Sequence, residues 1–125
     1  MKRAALALCA VALPAAACPL PTPPLQQGGI QVAWKVHGAP IVVGQPFTLD
    51  VQLCPSDAVL VRVDATMPEH RHGMNYRPSL APLGDGRWRA EGLLFHMPGR
   101  WALQLDVRPP GGGRTERLQD SIELR

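Results

Sequence analysis

The sequence predicts an all-β protein, an immunoglobulin-like β-sandwich of about seven short antiparallel strands. Three observations predict it: apolar residues recur with period two through most of the chain, turn residues punctuate these runs, and no window carries a convincing 3.6-residue period. Successive side chains of a strand point to opposite faces, so a two-residue period describes an element with one dry face and one wet face.

The runs follow one another in order. Ile30, Val32, Trp34 and Val36 alternate with Gln31, Ala33 and Lys35. Phe47, Leu49, Val51 and Leu53 alternate with Thr48, Asp50 and Gln52, and Val59, Val61 and Val63 with Leu60, Arg62 and Asp64. Trp101, Leu103, Leu105 and Val107 alternate with Ala102, Gln104 and Asp106, and Leu118, Ile122 and Leu124 close the chain opposite Gln119, Ser121 and Glu123. Gly38-Ala39-Pro40, Gly44-Gln45-Pro46, Gly84-Asp85-Gly86, Pro98-Gly99 and Pro109 to Gly113 supply the turns. Trp34, Trp88 and Trp101 are expected in the core.

The first 17 residues read as an export signal: a Lys2-Arg3 n-region, an apolar stretch from Ala4 to Leu13, and Ala15-Ala16-Ala17 as cleavage site. That stretch is too short to span a bilayer and is broken by Pro14, and no later segment approaches spanning length, so no transmembrane helix is expected after processing. Export points to the periplasm. Residues 18–29 are proline-rich and read as an extended spacer ended by Gly28-Gly29, which leaves 30–125 as one domain. Two fates are open for Cys18. It can pair with Cys54 in an oxidising compartment, or carry a lipid if Ala16-Ala17-Cys18 acts as a lipobox; the disulfide is preferred, because lipidation would strand Cys54 as a lone thiol.

Removing Lys2 and Arg3 lowers the formal charge from +3 to +1. The remaining basic residues are scattered singly, which excludes a nucleic-acid-binding stripe. No nucleophile–base arrangement, phosphate-cradling glycine loop or paired-carboxylate context is present, so an enzyme is not expected.

Reactive side chains gather in two short segments. Met67 to Pro78, M-P-E-H-R-H-G-M-N-Y-R-P, and His96-Met97-Pro98-Gly99 hold three of the four His and every Met except the first. With a strand over 58–65, a return from Tyr76 to Leu83, the Gly84-Asp85-Gly86 turn and a strand over 87–95, counting strand reversals puts both segments at one pole of the sandwich. If the first is extended, His70, His72 and Met74 share a side while Glu69 and Arg71 face away, and His96 or Met97 adds a ligand from the facing turn. Imidazole with thioether suits copper, whereas zinc favours Cys or carboxylate. The blander readings are core packing for Met67, loop plugging for Met97 and a solvated loop position for His70. Arg71, Arg77 and Arg100 oppose a bound cation unless they turn away or pair with Glu69, and they suit an anionic partner surface. His37 is ordinary surface.

The order D-A-x-M-P-x-H-x-H-G-M, Asp64 to Met74, followed by G-x-W-x-A-x-x-x-x-F-x-M-P-G-x-W, Gly86 to Trp101, resembles the YtkA-like/FixH-like group of small exported β-sandwich proteins. The resemblance implies copper handling, or assembly of copper-dependent respiratory or envelope enzymes. The pattern departs from the better-defined periplasmic copper chaperones, which place a His-Met pair first and His-x-Met last; here His72-x-Met74 comes first and His96-Met97 last. Two functions are therefore expected. One is a periplasmic copper-binding or copper-delivery domain using His70, His72, Met74, His96 and Met97, with Met67 in reserve. The other is a metal-free module that docks onto an envelope protein through the same loops, with Asn75, Tyr76 and Arg77.

Overall fold

The computed structural model describes Leu20 and residues 24–125. The expected signal peptide and Cys18 lie outside the described residues. Nine strands form among the described residues: β1 (Leu25–Gln27), β2 (Ile30–Val36), β3 (Pro46–Cys54), β4 (Val59–Met67), β5 (His72–Gly73), β6 (Ser79–Gly84), β7 (Arg87–Leu94), β8 (Gly99–Arg108) and β9 (Glu116–Leu124). One sheet runs β1-β2-β3-β7-β6 and the other β5-β4-β8-β9, with antiparallel pairing throughout. Without the short strands β1 and β5, the seven that remain have the four-plus-three order of an immunoglobulin-type sandwich.

The core lies between the sheets and follows the two-residue alternation. Leu49, Val51 and Leu53 of β3 meet Trp101, Leu103, Leu105 and Val107 of β8, and all are buried. Trp101 is the largest buried side chain and stacks flat on Phe95, with centroids 4.4 Å apart. Trp34 and Trp88 are half-buried and flank this core instead of entering it.

Three local features depart from the sequence expectation. On β4 a bulge between Leu60 and Arg62 shifts the register. Leu60 is buried and Val61 is 43% exposed, the reverse of the expected alternation. A bulge inserts one residue, which switches every side chain before it to the other face. On β9, Asp120 takes an inward position between Leu118 and Ile122 and accepts a 2.9 Å hydrogen bond from Trp34 Nε1 across the sandwich. The end of the expected spacer folds back as β1, pairing Gln27 with Ile30 and Leu25 with Val32 through the Gly28-Gly29 turn.

The chain crosses between the sheets three times among the described residues: after β3, between β5 and β6, and between β7 and β8. The second and third crossings contain Met74 and His96-Met97 respectively, and they lie at the same pole. Cys54, at the other end of β3, is disulfide-bonded. The partner expected for it, Cys18, is outside the described residues.

Candidate functional site

The first cluster is a tight hairpin rather than an extended run. The amides of His70 and Arg71 both donate to the Met67 carbonyl, at 3.1 and 2.9 Å. Arg71 adopts φ 55°, and the chain re-enters the sheet with His72 opposite Met67. His70 therefore sits in the turn, while His72 belongs to β5. The Met74 amide then donates to the Ala65 carbonyl at 3.1 Å, which holds the crossing strand against β4.

Met67 is core, only 1% exposed. Its side chain runs beneath β8, where a Cβ on Gly99 would stand 2.7 Å from Met67 Cε. It is anchored under the pole, on the same face of the sheet as its cross-strand partner His72. Met74 and Met97 are half-buried and pack against the core edge.

The second cluster is pinned from below. Trp101 Nε1 donates to the Met97 carbonyl at 3.1 Å, so the buried indole fixes the height of the His96-Met97 turn. His96 lies edge-on to Trp101 with centroids 5.5 Å apart, and His72 does so at 6.1 Å. The two imidazoles are themselves 5.1 Å apart, and His70 stacks on the other side of His72 at 5.8 Å. Three rings drawn from two segments thus form one row, with Trp101 as the floor beneath His72 and His96. The sequence suggests Trp101 only as core; its second role depends on which loops the fold lays over it.

His70 and His96 are exposed, whereas His72 is half-buried. Its Nδ1 is fully buried and has no hydrogen-bond partner among the described residues. A buried imidazole nitrogen ordinarily finds a partner, because leaving one unmade forfeits its hydration. Among the described residues, no group of three or more His, Cys, Asp or Glu side chains is arranged to hold a metal ion. The donors that the two segments bring to this pole are imidazole nitrogen and thioether sulfur. That donor set fits a soft ion and not calcium, magnesium or a zinc site of nitrogen and oxygen.

The arginines separate. Arg100 Nε donates to Glu69 Oε1 at 3.3 Å, an exposed pair that gives one of the cations a counter-charge. Arg71 and Arg77 stay exposed. Arg77 and Met74, with Tyr76, Asp64 and Arg62, line a small depression of about 240 Å³ beside the hairpin. No protein-family model, curated protein or solved structure matches the chain.

Proposed function

We propose that the protein is an exported, periplasmic copper-binding domain that handles or delivers copper at this pole, in keeping with its resemblance to the YtkA-like/FixH-like group. The carrying observation is the buried, unpartnered Nδ1 of His72 in contact with His96, between segments that contribute Met74 and Met97. His72 and Met74 are the central ligands, with either His96 or His70 as the second imidazole and Met97 completing the set. Copper is the cargo: thioether favours Cu(I), and imidazole accepts both oxidation states. The chain's own groups hold the ion above the apolar floor of Trp101. A copper-dependent envelope or respiratory protein is the proposed recipient, and no catalysis is assigned.

The test is a titration with Cu(I) against a chromophoric chelator, following intrinsic tryptophan fluorescence in parallel in a Trp34→Phe/Trp88→Phe background that keeps Trp101. With His72 and Met74 in place, the protein should bind about one equivalent and quench. The His72→Ala/Met74→Ala double variant should do neither, and undiminished binding in it would refute the reading.

A second reading, a metal-free docking module, is favoured by the 52% exposure of Tyr76 beside Asn75 and Arg77. Elemental analysis of protein purified from the periplasm without a nickel step separates the two. Cys18 is the proposed disulfide partner of Cys54. A non-reducing peptide map and the intact mass should show that link and no lipid.

A further inference from the structure

The outer face of the five-stranded sheet carries an organised charge pattern that the His/Met pole does not use. Register aligns Ala33 with Gln52 and Arg87 in one row across β2, β3 and β7, and Lys35 with Asp50 and Arg89 in the next. Ala33 is short and its neighbours are long, so the face is hollowed there. The hollow is a trench of about 570 Å³, walled by Lys35, Arg87 and Arg89 with Leu83 at its lower end. That volume falls in the range of small-molecule sites.

Three cations line the trench against one carboxylate. Asp50 is already engaged: its Oδ1 accepts from Arg89 Nε at 3.2 Å and its Oδ2 lies 2.8 Å from His37 Nδ1. The hydrogen bond to His37, and then that to Arg89, hold the Asp50 carboxyl below its ordinary value, so it stays ionised. Arg87 reaches only the Leu83 carbonyl, at 3.4 Å, and Lys35 makes no ion pair or hydrogen bond among the described residues. Glu91 lies beyond the trench, opposite Thr48. Lys35 and Arg87 thus face one concavity with no ion pair of their own; its single carboxylate, Asp50, is engaged by Arg89 and His37, which leaves a net positive field that the concave wall focuses.

The geometry points to an anion site on this face, for a ligand that carries a phosphate monoester or comparable phosphoryl group on an apolar body. The phosphoryl group lies between Lys35 and Arg87, where its charge matches the two unpaired cations, and the apolar part lies along Ala33 and Leu83. Asp50 acts as a positioning residue that holds the Arg89 guanidinium and the His37 ring at the rim. The site lies on the sheet opposite β4 and β8 and is independent of the copper proposal. The same headgroup chemistry can come from a soluble phosphate ester or from an anionic lipid.

Phenyl phosphate titrated into isotope-labelled protein tests this by amide shifts. Amides of Ala33, Lys35, Gln52, Arg87 and Arg89 should move together, with those of 67–74 and 96–99 unmoved. Affinity should fall at least tenfold in Lys35→Ala/Arg87→Ala, whose exposed positions leave the fold intact by amide dispersion, and it should weaken with added salt. Co-sedimentation with phosphatidylglycerol vesicles, absent with phosphatidylcholine and lost in the same variant, assigns the lipid source. Binding of phenyl phosphate without vesicle binding assigns a soluble ester. Unmoved trench amides, or equal affinity in the double variant, overturns the site.

Discussion

Among the described residues, the Nδ1 of His72 is buried without a hydrogen-bond partner, and such an orphaned group costs about 1–3 kcal/mol. An apolar ring of similar shape removes that cost. His72→Phe is therefore expected to raise the stability of the metal-free protein by about 1 kcal/mol in urea unfolding while abolishing copper binding. A destabilised His72→Phe would mean that the ring nitrogen is satisfied in solution. Asp50 gives a residue-scale prediction for pH. Its folded carboxyl titrates below the ordinary 3.8, chiefly through the His37 hydrogen bond. A depressed carboxyl stabilises the fold above its unfolded value and loses that contribution as pH falls through the folded one. Thermal unfolding of the wild type and Asp50→Asn should therefore differ most above about pH 4 and converge below it. A gap that widens in acid would contradict the assignment. Neither feature was legible from residue type alone, because both arise from neighbours far along the chain.

Among the elements, the β6–β7 hairpin is held by a close backbone approach. The Gly86 carbonyl accepts from the Leu53 amide at 2.8 Å. A Cβ on Gly86, at φ 75°, would stand 2.6 Å from the Leu53 oxygen and 2.9 Å from Ser56 Cα. Both obstacles are backbone and cannot rotate away. Gly86→Ala should cost roughly 3 kcal/mol by urea unfolding, from strain and overpacking together. Gly84→Ala is the control: it shares the positive φ, at 88°, but meets nothing within 4 Å. It should cost only about 1 kcal/mol, and equal losses would mean that the close approach is unimportant. The Gly84-Asp85-Gly86 turn was legible from its residues, but the contact with β3 that makes Gly86 demanding was not. The hairpin at 67–74 behaves likewise. Its His and Met residues stood out by type, yet the left-handed Arg71 takes His70 out of the expected extended row.

At the scale of the molecule, the two sheets are joined by apolar packing and, among the described residues, by a hydrogen bond that crosses the sandwich from Trp34 on β2 to Asp120 on β9. The Asp120 carboxylate is inward and half-buried, so removing its donor leaves a charge with less solvation than it would have in water. Trp34→Phe should lower stability by about 1–2 kcal/mol, with Asp120→Asn costing less because an acceptor oxygen is retained. Denaturation midpoints of the two variants check this, and a neutral Trp34→Phe would show that apolar packing alone closes that side.

The sequence by itself determined the all-β class and the seven principal strands, since a two-residue alternation broken by Gly and Pro turns leaves a chain few other ways to bury its apolar face. It also brought the two His/Met segments to one pole, because that follows from the parity of strand reversals. Tertiary structure alone decided the finer placements. The bulge at Val61 reversed the faces of β4 residues before it, the chain before Ile30 folded back as β1, and Trp101 became the floor under His72 and His96. The alignment of Lys35, Asp50 and Arg89 likewise exists only once three strands are in register. Alternation is a property of one strand and can be read locally. Register, bulges and the burial of a single ring nitrogen depend on what packs against that strand, and that is set by residues far away in the chain.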